Sequence, residues 1–225
     1  MKDIPIFTGQ FGIGTLILRE IPYRKYAYVM VRSAQEGRMA AFLEECRGFC
    51  TMAGAERVLA TADEPLDFLP HVHDMLELSC RRDSLPPLQE PVELEPVTSE
   101  NGEVFRGCYN RLFQQIPNAA TCTPADLERI LKREKAFLAR VNGTLAGIGE
   151  QTETELCAIG VLPEYRGLGR RLALTLLAQM RCETVTLRVS SANAPALRLY
   201  RKLGFVQSRV LSRWYALEGP AVKAE

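Results

Sequence analysis

The sequence has little that would commit it to a membrane, a metal or a disulfide framework. No apolar run approaches the roughly 20 residues that a membrane helix needs, and the N-terminus, MKDIPIFTGQ, lacks the apolar segment of a signal peptide. Histidine occurs only at His71 and His73. A metal site would need further ligands, and the cysteines offer no CxxC pairing. No metal is therefore expected, and the segment HVH reads as two polar residues on one face of a strand or loop. The seven cysteines are odd in number and irregularly spaced, which argues against disulfides and for a reducing, cytoplasmic setting. Cys46 and Cys50, four apart, fit packing on a helix. The net charge is only +1, so no global charge draws the chain to nucleic acid or to an anionic membrane. The arginine-rich stretches are short and carry no interleaved aromatics, which again speaks against nucleic acid. Neither GxxxxGK[ST] nor a complete GxGxxG is present, so the common nucleotide motifs fit poorly.

What is there is an ordinary globular composition, 47% hydrophobic and 24% charged over 225 residues. The charge is uneven: residues 1–90 carry 10 Lys/Arg against 13 Asp/Glu, and residues 91–225 carry 18 against 14. The second half is thus the better place for an anionic ligand. Between the halves lies SLPPLQEPVELEP, residues 84–96, whose four prolines read as a linker and the start of a new strand. Two domains are expected, 1–90 and 91–225.

In the second half, apolar residues from Val104 to Ile116 recur at helical spacing. A second helix begins at TPADLERIL, with Thr123 placed to cap it and Pro124 in its first turn. Asn142-Gly143 between two apolar runs is a hairpin signal. TELCAIGVL is a nearly continuous apolar strand, of the kind covered on both faces. A helix with Leu172, Leu176, Leu177 and Met180 on one side follows, then strand 184–190, the helix NAPALRLYRKLG and one or two closing strands. The first half offers a strand at 25–31, a helix at 33–54 and strands at 56–63 and 73–81. This βαββ outline resembles part of the second half without its glycines; a degenerate repeat and a plain α/β cap both fit. The layout is α/β around a mixed sheet.

The stretch VLPEYRGLGRRL, Val161–Leu172, carries the first chemical signal. A strand that ends in a glycine turn and opens a helix points unpaired backbone N–H groups at one spot, and the helix N-terminus adds positive charge there. Gly167 and Gly169 allow the turn and a close approach, while Arg166, Arg170 and Arg171 add charge. A basic surface turn has the same composition. The second motif is NAPALRLYRKLGF, Asn193 to Phe205. Val161, Pro163, Arg166, Gly167 and Gly169, followed by Asn193, Ala196, Leu199, Tyr200, Gly204 and Phe205, resemble the ordered motif pair of the GNAT N-acetyltransferase superfamily. The resemblance runs from about Val92 to near the C-terminus.

The resemblance implies a GNAT-like mixed sheet flanked by helices and an enzyme that uses acetyl-CoA. The backbone amides of Arg166, Gly167, Leu168, Gly169, Arg170 and Arg171 would hold the pyrophosphate of coenzyme A. The edge of strand 155–162 would pair with the pantetheine arm where it splays from strand 184–190. Its N–H groups around Ile159, Gly160 and Val161 would polarise the thioester carbonyl. Asn193 would contact the coenzyme or order a water, and Tyr200 would be the general acid. Glu155, in preference to Glu153, is the candidate base. The acceptor would be an amine of a small molecule or peptide, and a homodimer is compatible with all of this. One position departs from the pattern: R-x-x-G-x-G/A, begun at Arg166, puts its last small residue at Arg171. That side chain either points away or crowds the cradle. A non-catalytic acyl-CoA sensor and an acyltransferase for another acyl-CoA are the rival readings.

Overall fold

Residues 1–133 and 135–217 are described by the structure, a computed structural model. The last eight residues of the expected second domain, 218–225, lie outside the described residues. The chain forms two compact units: Met1–Met75 together with the segment from Leu211 onward, and Leu76–Val210. The division falls inside a strand, not in the proline-rich segment 84–96 where composition suggested a boundary. Prolines break regular structure locally, but ladder hydrogen bonds decide which sheet a strand joins.

In the first unit, β1 (Ile4–Thr8), β2 (Gly12–Ile17), β3 (Tyr26–Ala34) and β4 (Arg57–Thr61) lie in that order, with the C-terminal part of β11 (Val206–Ala216) beside β4. There Tyr215 stands opposite Ala60 in an antiparallel register. The one-turn helix α1 (Ile21–Arg24) precedes β3, and α2 (Met39–Met52) packs Phe42, Leu43, Cys46 and Cys50 onto Leu16, Val29 and Val58. Cys46 and Cys50 are free and buried, as their spacing suggested, and burial pushes their thiols up to about 12 and about 11. The hairpin β1–β2 had no counterpart in the sequence reading. Its alternation is masked by Gly9, Gly12 and Gly14. Phe42 lies so close to β2 that a Cβ at Gly12 would stand 2.8 Å from its ring. His71 pairs with Asp74 at 2.8 Å, and His73 is buried with its ring stacked on Trp214.

The second unit has the strand order β11-β5-β10-β9-β8-β7-β6, in which β5 is His71–Arg81 and β6 is Glu93–Pro96. Its own part of β11 is held on β5 by Ser208, whose Oγ donates to Glu77 O (3.1 Å), and by Arg209, which forks onto the Glu77 carboxylate at 3.1 and 3.0 Å. β6, β7 (Ala136–Val141), β8 (Thr144–Gln151) and β9 (Glu155–Val161) form an antiparallel run, and β10 (Thr184–Ser190) joins β9 in parallel. Asn142 and Gly143 have φ of 51° and 77°, as a two-residue hairpin turn demands. On one face, α3 (Gly102–Phe113) and α4 (Pro124–Arg133) cover Leu138 and Ile148 with Phe105, Cys108 and Leu127. Val104 departs from the expected stripe and is exposed. Thr123 caps α4 reciprocally: its Oγ1 accepts from Asp126 N–H (3.2 Å), and its own N–H donates to Asp126 Oδ2 (3.0 Å). On the other face, α5 (Gly169–Gln179) and α6 (Ala194–Lys202) bury Leu172, Leu176, Leu177, Leu197 and Tyr200. Among the described residues no helix is long and apolar enough to cross a membrane.

Candidate active site

The turn from β9 to α5 arises from Pro163, which starts a single 3-10 turn, and from Gly167 at φ 107°, a value that L side chains rarely adopt. Within this turn, Tyr165 N–H donates to Leu162 O (2.9 Å), Arg166 N–H to Pro163 O (3.3 Å) and Leu168 N–H to Tyr165 O (3.0 Å). The α5 ladder resumes at Leu172 N–H, which donates to Leu168 O at 3.0 Å. Between these, the amides of Gly167, Gly169, Arg170 and Arg171 have no backbone acceptor among the described residues, and no side chain caps the helix. Four N–H donors are therefore left open at the positive end of an eleven-residue helix. The Arg166 and Arg170 side chains are exposed beside it.

Arg171 points away from this cradle. Its Nε donates to Glu90 O (3.3 Å) and its terminal nitrogen pairs with Glu90 Oε2 (3.3 Å). The residue that departs from the family pattern thus keeps its amide at the helix start and fastens its side chain to the segment before β6. Thr175 completes the clasp, donating to Arg171 O (2.8 Å) and accepting from Val92 N–H (3.0 Å). Glu90 and Thr175 gave no signal in the sequence, because a long-range clasp leaves no local pattern.

β9 also opens an edge. Against β10 its register covers two pairs, Thr186 with Glu155 and Leu187 with Leu156. On its other side, Glu150 faces Ala158 but Gln151 faces Leu156, so Cys157 is an extra residue, a β-bulge. A bulge bends the strand and re-aims its side chains, and here it falls where pairing with β10 stops. Beyond it, Ile159, Gly160 and Val161 pair with Gly149, Ile148 and Gly147 of β8. Leu112 packs against Gly160: a Cβ there would stand 2.6 Å from Leu112 Cδ1 and force that side chain to shift.

Of the other candidates, Tyr200 shares an apolar cluster with Ile159, Val161 and Leu199, whereas Glu155 and Glu153 lie at and just before the start of β9. Asn193 uses its Oδ1 to cap α6, accepting from Ala196 N–H at 3.2 Å. Tyr200 is buried, its ring 5.8 Å from that of Phe205, and burial pushes its phenol up to about 12. Leu199 faces the start of α5, with its Cδ2 3.6 Å from where a Gly169 Cβ would lie. Glu155 is at the paired end of β9, about 20 Å along the strand from Val161 at 3.3 Å per residue. It forms an ion pair with Arg188 at 3.3 Å. Glu153, the second choice, is almost fully exposed and lies 3.7 Å from Lys135.

A family model described as the acetyltransferase (GNAT) family matches residues 100–205. Residues 100–205 are a GNAT-family domain. The match starts just before α3 and ends just before β11, so both sequence motifs and the opened edge of β9 lie inside the GNAT domain. The chain is 30% identical over 164 residues to a mycothiol acetyltransferase of Acidothermus cellulolyticus, an alignment covering 57% of this chain and 50% of that protein. It is 42% identical over 91 residues to the N-alpha-acetyltransferase RimI of Mycobacterium tuberculosis, covering 36% and 58%. The chain thus spans about half the length of the curated relatives it matches. A GCN5-related N-acetyltransferase structure from Kribbella flavida shares the fold, with a TM-score of 0.61 at 16% identity over 96% of this chain and 90% of that one.

Proposed function

We propose that the protein is an acetyltransferase that moves the acetyl group of acetyl-CoA to a primary amine of a small molecule or peptide. The observation that carries this reading is the set of open amides at Gly167 and Gly169–Arg171, set at the end of a strand whose edge is open past Cys157. Such donors suit a pyrophosphate. The open edge suits the amide-bearing pantetheine arm, whose groups can pair with backbone as a strand does.

In the reaction the neutral amine nitrogen attacks the thioester carbon, the new C–N bond forms and the C–S bond breaks. A lysine-like amine has an ordinary pKa near 10.4, so a proton must first leave it; Glu155, the candidate base, lies about 13 Å along β9 from Ile159 at 3.3 Å per residue, so a chain of waters would have to carry that proton. N–H groups of β9 around Ile159–Val161 donate to the oxygen as charge develops on it. Tyr200 gives its proton to the departing thiolate. Burial among apolar side chains keeps that phenol protonated throughout the neutral range. Asn193, with its carbonyl held by the α6 cap, keeps its amide N–H₂ as a donor for the coenzyme.

The acceptor class follows the names of the relatives, one for mycothiol and one for an N-alpha position. The rival sensor reading drew its motive from a crowded cradle, and the clasp of Arg171 on Glu90 removes that motive. The test is calorimetric titration of the full chain with acetyl-CoA and with coenzyme A. A dissociation constant on the order of micromolar is expected, followed by turnover in an amine screen. No binding to folded protein removes the reading. Binding without turnover on any amine favours the sensor, and a preference for longer acyl chains changes the donor.

A further inference from the structure

Helix α5 is about 15 Å long at 1.5 Å per residue, and the phosphate cradle occupies only its first turn. At its other end a cleft of about 610 Å³ opens between the start of β7, the β8–β9 turn and the residues that follow α5. This volume is in the range of small-molecule sites, about 300–1,000 Å³. The cleft lies at the start of β9, by Thr152–Thr154, whereas the open edge lies past Cys157 towards Val161. It is therefore separate from the proposed coenzyme site.

Three features of the lining point to an occupant. Gln151 is 4% exposed, yet its Oε1 has no hydrogen-bond partner among the described residues; its Nε2 meets Gln179 Oε1 at 3.4 Å. A buried amide oxygen without a donor is unfavourable by about 1–3 kcal/mol; Oε1 is itself covered, so a ligand N–H satisfies it once the Gln151 amide turns towards the cleft. Second, Arg181 on the rim has no ion-pair partner among the described residues, and Lys135 lies 3.7 Å from the exposed Glu153. Third, Phe137 and the buried Met180 supply apolar surface between these polar groups. A cation just past a helix C-terminus is favourable by itself, which accounts for Arg181 alone but not for the open Gln151 oxygen beside it.

We propose that this cleft is a binding site for a free α-amino acid. The carboxylate sits between Arg181 and Lys135, where a guanidinium gives the stronger, two-pronged contact. The ammonium donates to Gln151 Oε1, and Glu153, freed from Lys135, meets the same charge. The amino-acid side chain lies on Phe137 and Met180. The cleft asks for both charges of the zwitterion, so neither a simple amine nor a simple acid satisfies it.

The test is ligand-observed NMR followed by calorimetry on the full chain, with each proteinogenic L-amino acid as probe. At least one should bind with a dissociation constant of about 0.1–1 mM. Its decarboxylated amine and its deaminated acid should each bind about tenfold more weakly. Arg181→Ala, a surface change, should weaken the amino acid about tenfold and leave coenzyme A binding unchanged. Gln151→Leu should do the same where it folds; Arg181→Ala decides the matter where it does not. The proposal is overturned if no amino acid binds up to about 10 mM, or if Arg181→Ala leaves binding intact. Displacement of the amino acid by acetyl-CoA also overturns it, since that places the ligand at the open edge of β9.

Discussion

In the first unit, β3 leads through Gly37 (φ 70°) into α2; in the second, β9 leads through Gly167 (φ 107°) into α5. Both helices start without a side-chain cap, and both strands have a parallel neighbour. The difference is in the pairing. β3 stays with β4 over five successive positions, Tyr26–Met30 against Arg57–Thr61, whereas the β9–β10 register ends after two. A continuous ladder consumes the edge on which an extended ligand would lie; β3 is bulged too, at Arg32 just past its last pair with β4, but there the ladder ends later in the strand than it does in β9. The first turn of α2 is Met39, Ala40 and Ala41, while that of α5 is Gly169, Arg170 and Arg171. A glycine turn, an uncapped helix start and a bulged strand thus recur in both units; the earlier end of the β9–β10 ladder and the glycine and arginines that begin α5 set the second apart.

The largest expected effect breaks the second member of this comparison. Gly169→Leu places a bulky group in the cradle against Leu199, and titration should show coenzyme binding lost while the fold is retained. Tyr200→Phe should lower kcat by about 10²–10³ with the coenzyme dissociation constant unchanged, measured by single-turnover kinetics.

The same variant has a pH signature. The phenol titrates at about 12 in the folded chain and about 10 when unfolded. Above pH 10 the unfolded chain therefore gives up the proton first. The contribution of Tyr200 is intact below about pH 10 and is lost as pH rises towards about 12. Urea unfolding across that window should fall more steeply for the native protein than for Tyr200→Phe. Glu155→Gln should reduce kcat/KM about tenfold or more, with the loss concentrated below the amine's own pKa; an unchanged pH–rate profile removes Glu155 as the base.

Smaller effects sharpen the comparison. Glu90→Ala cuts an exposed pair, which is worth at most about 1 kcal/mol. It should change the coenzyme dissociation constant less than about fivefold, and a larger tightening would mean that the freed Arg171 joins the phosphates. Gly37→Ala should reduce stability by about 1 kcal/mol through its positive φ and leave coenzyme binding untouched. A loss of binding there would make the first unit a second coenzyme site.

Much of the GNAT domain was legible because its signals are local. Asn142-Gly143 fixes a hairpin through φ, Thr123 with Asp126 and Asn193 with Pro195 mark helix starts, and Leu172, Leu176 and Leu177 of α5 recur at helical spacing, although Leu174, off that stripe, is buried as well. Where signals are not local the sequence reading thinned out. The hairpin β1–β2 was missed because its glycines make room for Phe42, some thirty positions away. The expected helix 33–54 loses its first residues to β3 and the Gly37 turn, since sheet pairing held Ser33 and Ala34 as strand.

By itself, the sequence determined the strand–turn–helix with its glycines, the order of the two motifs and the family they resemble, because φ restrictions, caps and hydrophobic period act over a few residues. Only the tertiary structure decided that Arg171 leaves the cradle for Glu90, that Cys157 is a bulge, that β9 and β10 part beyond Leu156 and Leu187, and that β5 and β11 divide between the units. Each of these is a pairing between distant residues. Such pairings are set by which hydrogen bonds and contacts can be satisfied together, and no short window of sequence contains both partners.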